Sequence, residues 1–245
     1  IDFLSSIEIL ILDQLDVFVM QNWDHMLKIF DNLHLQPQSR GDTDYSRIRN
    51  PFINGWSKYY RQTLLFTSHD LPEFRSLYNN RCSNFRGRVR TETKVLKGSM
   101  HQVVFEVSQT FHRIDVKTNN ADERFEYFVN SILPKFKSST MAHCLIYVPS
   151  FFDFVRVRNY MKKENVNFTQ ISEYTKPDKI SRARTLFYHG STHFLLYTER
   201  AHFFHRFLIK GVRHVIFYQP PTISHFYSEI INSMQAINQN PNDNV

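Results

Sequence analysis

A chain of 245 residues with 42% apolar content can bury one large core or two ordinary ones, and no apolar run in it approaches the roughly 20 residues that span a bilayer. Cys82 and Cys144 lie far apart, which excludes a disulfide framework and any Cys-x-x-Cys motif and suits a reducing compartment. Thirty Lys and Arg against 23 Asp and Glu give a formal charge of +7, which favours a polyanionic partner without requiring one, while only six glycines leave few places for a glycine-built phosphate cradle.

Residues 7–18 set the frame. They open as an apolar run of strand length and stop on Asp13 and Asp16. A parallel strand buried on both faces reads this way, and ligands of open α/β sheets bind at that carboxyl end. The first residue stands only a few positions ahead of this interior strand, so the chain is expected to be the carboxyl-terminal piece of something longer, with no signal peptide in view. Residues 17–33 carry Val19, Trp23, Met26, Leu27, Phe30 and Leu33 at three- and four-residue spacing, which predicts a helix. Residues 36–60 have no sustained period, yet their Phe, Trp and Tyr content is too apolar for a free linker, so they read as an ordered insertion. Residues 63–67 predict a second buried strand, and 71–79 a short helix opened by Pro72.

Residues 81–101 change character. Arg81, Arg86, Arg88, Arg90, Lys94 and Lys97 face Glu92 alone, which makes this stretch either a basic interdomain strap or a solvated surface segment.

From 102 to 234 strands and helices alternate. Strands are predicted at 103–107, 144–148, 168–171, 193–197 and 212–218, and helices at 122–136, 151–163, 176–188, 201–208 and 223–234. Phe203, Phe204, Phe207, Ile209 and Val212 are expected to bury as a set against this sheet. Residues 235–245 are polar and Asn-rich and read as a disordered tail. The alternation predicts an α/β fold, two tandem units with parallel sheets. The boundaries are 1–80, 81–101 as the strap, and 102–234.

The order of these motifs resembles the core of DEAD-box RNA helicases, entered late in the first of their two RecA-like domains. Leu12-Asp13-Gln14-Leu15-Asp16 stands where the Asp-Glu-Ala-Asp box falls. Arg61-Gln62-Thr63-Leu64-Leu65-Phe66-Thr67-Ser68 resembles the strand that leads into the Ser-Ala-Thr motif. Residues 144–150 and Leu195-Leu196-Tyr197-Thr198-Glu199 resemble motifs four and five. A closer resemblance is to the digestive-organ-expansion-factor family, also called small nucleolar RNA-associated protein 25. It is carried by residues 197–207, by Ile209-Lys210-Gly211-Val212, by Phe217-Tyr218-Gln219-Pro220-Pro221 and by residues 145–154. That resemblance implies a helicase-like protein without helicase chemistry, acting in the nucleolus within the small-subunit processome. Its implied partners are pre-ribosomal RNA, the snoRNA-containing particle and processome proteins, with no membrane.

The residues themselves speak to the missing chemistry. None of the six glycines precedes Lys, so no Gly-Lys-Thr or Gly-Lys-Ser cradle is present in these residues. In the resembled box the first Asp helps hold magnesium and the adjacent Glu activates water; Asp13 matches the first, and Gln14 stands in place of the second. The resembled family also supplies arginines to the γ-phosphate from its last helix, whereas here no Lys or Arg follows Arg213. Asp13, Gln14, Asp16, Thr67 and Ser68 are therefore read as a degenerate nucleotide motif, with no catalytic residue and no cofactor. The alternative is an active RNA-dependent ATPase whose cradle lies upstream of residue 1. Arg86, Arg88, Arg90, Ser150, Thr198 and Arg200 are the candidate RNA contacts, although Ser150 and Thr198 could equally cap helices. His202 and His205 share a helical face without a third ligand, so no metal site is assigned. Ser68-His69-Asp70 are adjacent and cannot form a hydrolase triad.

Overall fold

The computed structural model describes residues 4–35, 44–91, 97–114, 121–138 and 141–241. The chain divides into two compact units, Ile1–Lys94 and Val95–Val245. Both have the expected α/β order with parallel strand pairing. Among the described residues no helix is long and apolar enough to cross a membrane.

In the first unit β1 (Ile9–Leu12) pairs in parallel with β2 (Gln62–Leu65), Ile9 opposite Gln62 and Leu12 opposite Leu65. The expectation of burial on both faces fails for β1, because Ile9 and Ile11 are 58% and 59% exposed. The described sheet has two strands, and on β1 the exposed Ile9 and Ile11 alternate with the half-buried Leu10 and Leu12. The single helix expected at 17–33 is two, α1 (Leu15–Gln21) and α2 (Trp23–Asn32). They are separated by Asn22, whose φ of −136° breaks the helix while its amide still donates to the Phe18 carbonyl at 2.8 Å. The described part of the insertion forms a 3-10 turn, Tyr45–Arg47, and two single helical turns, α3 (Asn50–Ile53) and α4 (Ser57–Tyr60); residues 36–43 lie outside the described residues. Pro72 opens α5 (Pro72–Arg81), as its fixed φ favours. Leu15, Met26, Phe30, Phe74 and Leu77 form the core. Arg61, 4% exposed, pins this unit together: it donates to the Arg81 carbonyl at 2.7 Å and to Thr63 Oγ1 at 3.0 Å, over the Phe30 ring.

The second unit opens differently from the sequence expectation. No strand forms at 103–107. That segment bends at Phe105, with Val103, Phe105 and Val107 half-buried and the residues between them exposed. The alternation is real, but the partner is a helix: Asn232 donates from Nδ2 to the Gln102 carbonyl at 2.9 Å and accepts from the Val104 amide at 3.1 Å. The helix α6 (Ala121–Tyr127) continues through a π turn, Phe128–Ile132, into a 3-10 turn at Pro134.

Then come β3 (Cys144–Val148), α7 (Phe151–Lys163), β4 (Phe168–Ile171), α8 (Pro177–Tyr188), β5 (Phe194–Thr198), α9 (Glu199–His205), β6 (His214–Phe217) and α10 (His225–Asn232). The sheet order is β4-β5-β3-β6, all parallel. Every residue of β3 and β5 is buried, as continuous apolar runs in a central parallel strand require. Phe154, Val157 and Met161 of α7 pack into the same core.

Two further expectations are corrected here. Only Ile209 and Val212 of the expected apolar set are fully buried; Phe203 and Phe207 are half-buried and Phe204 is 38% exposed, because α9 ends at His205 and Arg206 turns into the left-handed region at φ 44°. The tail is not free over its described part: the Asn238 carbonyl accepts from the Gly211 amide at 2.8 Å, and Gln239 Nε2 donates to the Val212 carbonyl at 2.7 Å.

Candidate functional site

The topology of the second sheet selects an edge. The chain leaves β3 toward β4 and leaves β5 toward β6, in opposite directions along the sheet from neighbouring strands. Such a switch point opens a crevice at the carboxyl ends of those strands. Val148 and Thr198 are paired there, followed by Ser150 and Glu199.

That crevice is filled by the protein's own polar groups. Ser150 caps α7, its Oγ accepting from the Asp153 amide at 3.4 Å. Thr198 caps α9 by accepting from the Ala201 amide at 3.3 Å, and its hydroxyl donates to Glu173 Oε2 at 2.9 Å. Arg200 lies 3.4 Å from the other oxygen of Glu173. Glu199, 2% exposed, accepts from the Tyr147 hydroxyl at 3.2 Å and from the Thr222 amide at 2.9 Å. Burial pushes the Glu199 carboxyl above its ordinary value, against the pull of those two donors.

A second network joins α9 to α10. His202 is 3% exposed; its Nδ1 meets the Tyr197 hydroxyl at 3.2 Å and its Nε2 meets Glu229 Oε2 at 2.9 Å, with Arg206 also donating to Glu229. Burial holds the imidazole below its usual pKa even though its hydrogen bond to Glu229 favours the charged form. Burial alone would raise the Glu229 carboxyl, but hydrogen bonds from Arg206 and His202 outweigh it and hold it low. The final helix thus presents an acid, already engaged, on the element where the helicase resemblance calls for arginine.

The first unit's edge is open by contrast. Register pairing of Leu12 with Leu65 brings Asp13 and Gln14 beside Thr67 and Ser68 at one carboxyl edge, all four exposed. Their hydrogen bonds are local: Asp13 Oδ1 accepts from the Gln14 amide at 2.8 Å, and Thr67 Oγ1 donates to the His69 carbonyl at 2.9 Å. Gln14 sits in the left-handed region at φ 54°. Asp16 turns inward and is buried in the first turn of α1.

The basic stretch is fastened to the first unit over its described part. Arg88 donates to the Tyr78 and Asn79 carbonyls at 3.1 and 2.9 Å, at the end of α5. Arg90 pairs with Asp70 at 3.0 Å. Arg86 is exposed, its guanidinium over the Phe85 ring. Residues 92–96, with Lys94, lie outside the described residues. The structure therefore groups Asp13, Gln14, Thr67 and Ser68 in the first unit and Thr198 with Arg200 through Glu173 in the second; Arg86, Arg88 and Arg90 belong to the first unit. Sequence reasoning missed Tyr147, Glu173, Thr222 and Glu229, whose partners come from segments too distant in the chain to signal the contact. Among the described residues no three His, Cys, Asp or Glu could jointly hold a metal ion.

Comparison with known proteins follows the same division. Residues 99–245 match the family described as "Utp25, C-terminal domain", and residues 1–89 match "UTP25, NTP hydrolase-like domain". The chain is 48% identical over 97% of its length to the U3 small nucleolar RNA-associated protein 25 homolog of Homo sapiens, covering 32% of that protein. It is 43% identical over 94% of its length to U3 small nucleolar RNA-associated protein 25 of Schizosaccharomyces pombe, covering 36%. The chain thus spans about a third of the length of these curated relatives. Among solved structures, a hypothetical ATP-dependent RNA helicase from Sulfolobus tokodaii aligns over 98% of this chain and 57% of its own, at 16% identity and a TM-score of 0.42.

Proposed function

The chain belongs to the Utp25 family, and from that premise we propose that it is the helicase-like part of a catalytically inactive assembly factor acting in nucleolar small-subunit biogenesis. The relatives are named for association with U3 small nucleolar RNA, and the reading carries that association to this chain. Its work is to bind pre-ribosomal RNA and neighbouring processome proteins during pre-rRNA processing, in the nucleus and nucleolus. RNA contacts come from the exposed Arg86, Arg88 and Arg90 in the first unit and from the half-buried Arg200 in the second. Ser150 and Thr198 contribute through the helix N-termini they cap.

The observation that carries inactivity is α10. A phosphoryl-transfer enzyme needs a cation against the charge that develops on the transferred group, and removing an arginine finger costs about 10³–10⁵ in rate. Here α10 has no Lys or Arg, and its Glu229 is taken up by His202 and Arg206. Gln14 could still orient a water, as glutamine does in some GTPases, so the missing cation weighs more than the missing Glu.

The test is RNA-stimulated phosphate release by the full-length protein. The expected result is release no greater than that of Asp13→Ala. Turnover of about 1 per second that disappears in Asp13→Ala would overturn the reading. A full-length protein that failed to co-purify with U3 small nucleolar RNA would overturn its assembly role.

A further inference from the structure

The first unit carries an aromatic surface that neither edge uses. Trp56, Tyr59 and Tyr60 follow one another at i, i+3 and i+4, on one face of the turn α4 and its entry. They are 51%, 43% and 49% exposed, and Phe85 is 60% exposed. So much ring area in water is costly unless something covers it or the rings have a use.

Phe85 comes from a distant segment and is delivered by hydrogen bonds: its amide donates to the Tyr59 carbonyl at 2.9 Å, and Asn84 Nδ2 donates to the Arg61 carbonyl at 3.0 Å. This sets the Phe85 and Tyr60 rings 4.9 Å apart. Cations stand over the rings, Lys58 Nζ 4.9 Å from the Tyr59 centroid and the Arg86 guanidinium 5.4 Å from that of Phe85. The two segments, 45–61 and 81–91, contain no Asp or Glu. Among the described residues Glu8 pairs with Arg49, Asp31 with Arg81 and Asp70 with Arg75 and Arg90, while Asp44, just ahead of the first segment, accepts from Ser46.

We propose that Tyr59, Tyr60 and Phe85, with Lys58 and Arg86, form a stacking platform for single-stranded RNA. Exposed rings interleaved with cations that meet no acid among the described residues are what a sequence-tolerant single-strand site is made of: bases stack on the rings and phosphates meet the cations. An apolar protein helix would leave both cations without a partner, whereas a polyanion with π faces satisfies rings and charges together. The proposal rests on the RNA-binding part of the function above and gives it an address outside the helicase motifs.

The experiment uses full-length protein and an oligouridylate of about 12 nucleotides, within the span of one single-strand site. Replacing Tyr59, Tyr60 and Phe85 together by Leu should weaken binding roughly tenfold to a hundredfold with the salt slope unchanged. Arg86→Gln should instead lower the log–log salt slope by about 0.7. An oligomer of the same length with abasic sites should bind the wild type more weakly than oligouridylate and should bind the Leu variant no differently. If the triple variant melts early, Phe85→Leu alone and Lys58→Gln with Arg86→Gln carry the same test, because these side chains are exposed. A Leu variant that binds like the wild type overturns the platform, as does a wild type indifferent to abasic sites. So does a variant that keeps RNA but loses a processome protein, which makes the face a protein interface. A wild type that binds no single-stranded RNA overturns the RNA-binding reading itself.

Discussion

The two carboxyl edges differ in where their polar groups find partners. At the first, Asp13, Gln14, Thr67 and Ser68 are exposed, and among the described residues the side chains of Asp13 and Thr67 bond to near neighbours in the chain. At the second, Thr198, Glu199 and Glu173 are turned inward and bonded across strands and helices. An open edge keeps donors and acceptors available to a ligand. A closed one has spent them on itself, and any ligand must first replace those bonds. In the second unit these groups hold strand and helix ends together, and in the first they are left exposed.

The comparison breaks most visibly in the cores beneath the edges. Phe154→Ala, at a position 1% exposed in the second unit, should cost about 3–5 kcal/mol in urea unfolding. Ile11→Ala in the first unit, at 59% exposure, should stay within about 0.5 kcal/mol. Equal losses would mean that β1 is as well packed as β3 and β5.

Next in size is the cap. Thr198→Val keeps the shape but loses the acceptor for the Ala201 amide and the donor to Glu173. The expected loss is about 1–2 kcal/mol, with Thr198→Ser close to wild type. Thr67→Val at the open edge should change stability far less.

The closed edge also predicts a pH signature. His202 is held below its ordinary value of 6.5, so the unfolded chain takes up a proton there before the folded one does. Stability from this group is intact above pH 6.5 and is lost as pH falls below it, with a slope of at most about 1.4 kcal/mol per pH unit. Glu199, held above its ordinary value of 4.5, acts with the opposite sign: its contribution falls as pH rises from 4.5 through its folded value. His202→Gln should flatten the loss just below pH 6.5. An unchanged profile would mean that the imidazole is charged in the fold or that other groups govern this range.

What the sequence made legible follows from how local each signal is. The strand Cys144–Val148 is a continuous apolar run stopped by Pro149 and Ser150, and strand, cap and following helix were all readable from adjacent letters. Both halves of the open edge were readable for the same reason. Residues 103–107 misled because period-two burial arises against a helix as well as within a sheet, and only Asn232, far along the chain, decides between them. The Asn-rich tail misled because Asn238 and Gln239 satisfy backbone groups at the opposite edge of the sheet. Glu173 and Glu229 meet Thr198 and His202 across 25 and 27 residues, with no motif linking them.

The smallest expected effect is a gain, and it belongs to the open edge. Gln14 holds φ 54°, a left-handed conformation that crowds the Cβ of an L-residue. The strain is about 1–2 kcal/mol for a side chain and nearly absent for glycine. Gln14→Gly relieves it but gives the unfolded chain more freedom, which returns about 0.4–1 kcal/mol. The net should be a stabilisation of up to about 1 kcal/mol, seen as a higher urea midpoint at unchanged slope. The Asp13 carboxylate loses nothing, because its bond comes from the residue-14 amide and not from the side chain. Gln14→Ala, which keeps the Cβ, should show no gain and so separates relief of strain from loss of the amide group. If Gln14→Gly is destabilising instead, the glutamine side chain has a partner that holds it, and this edge is less open than the comparison makes it.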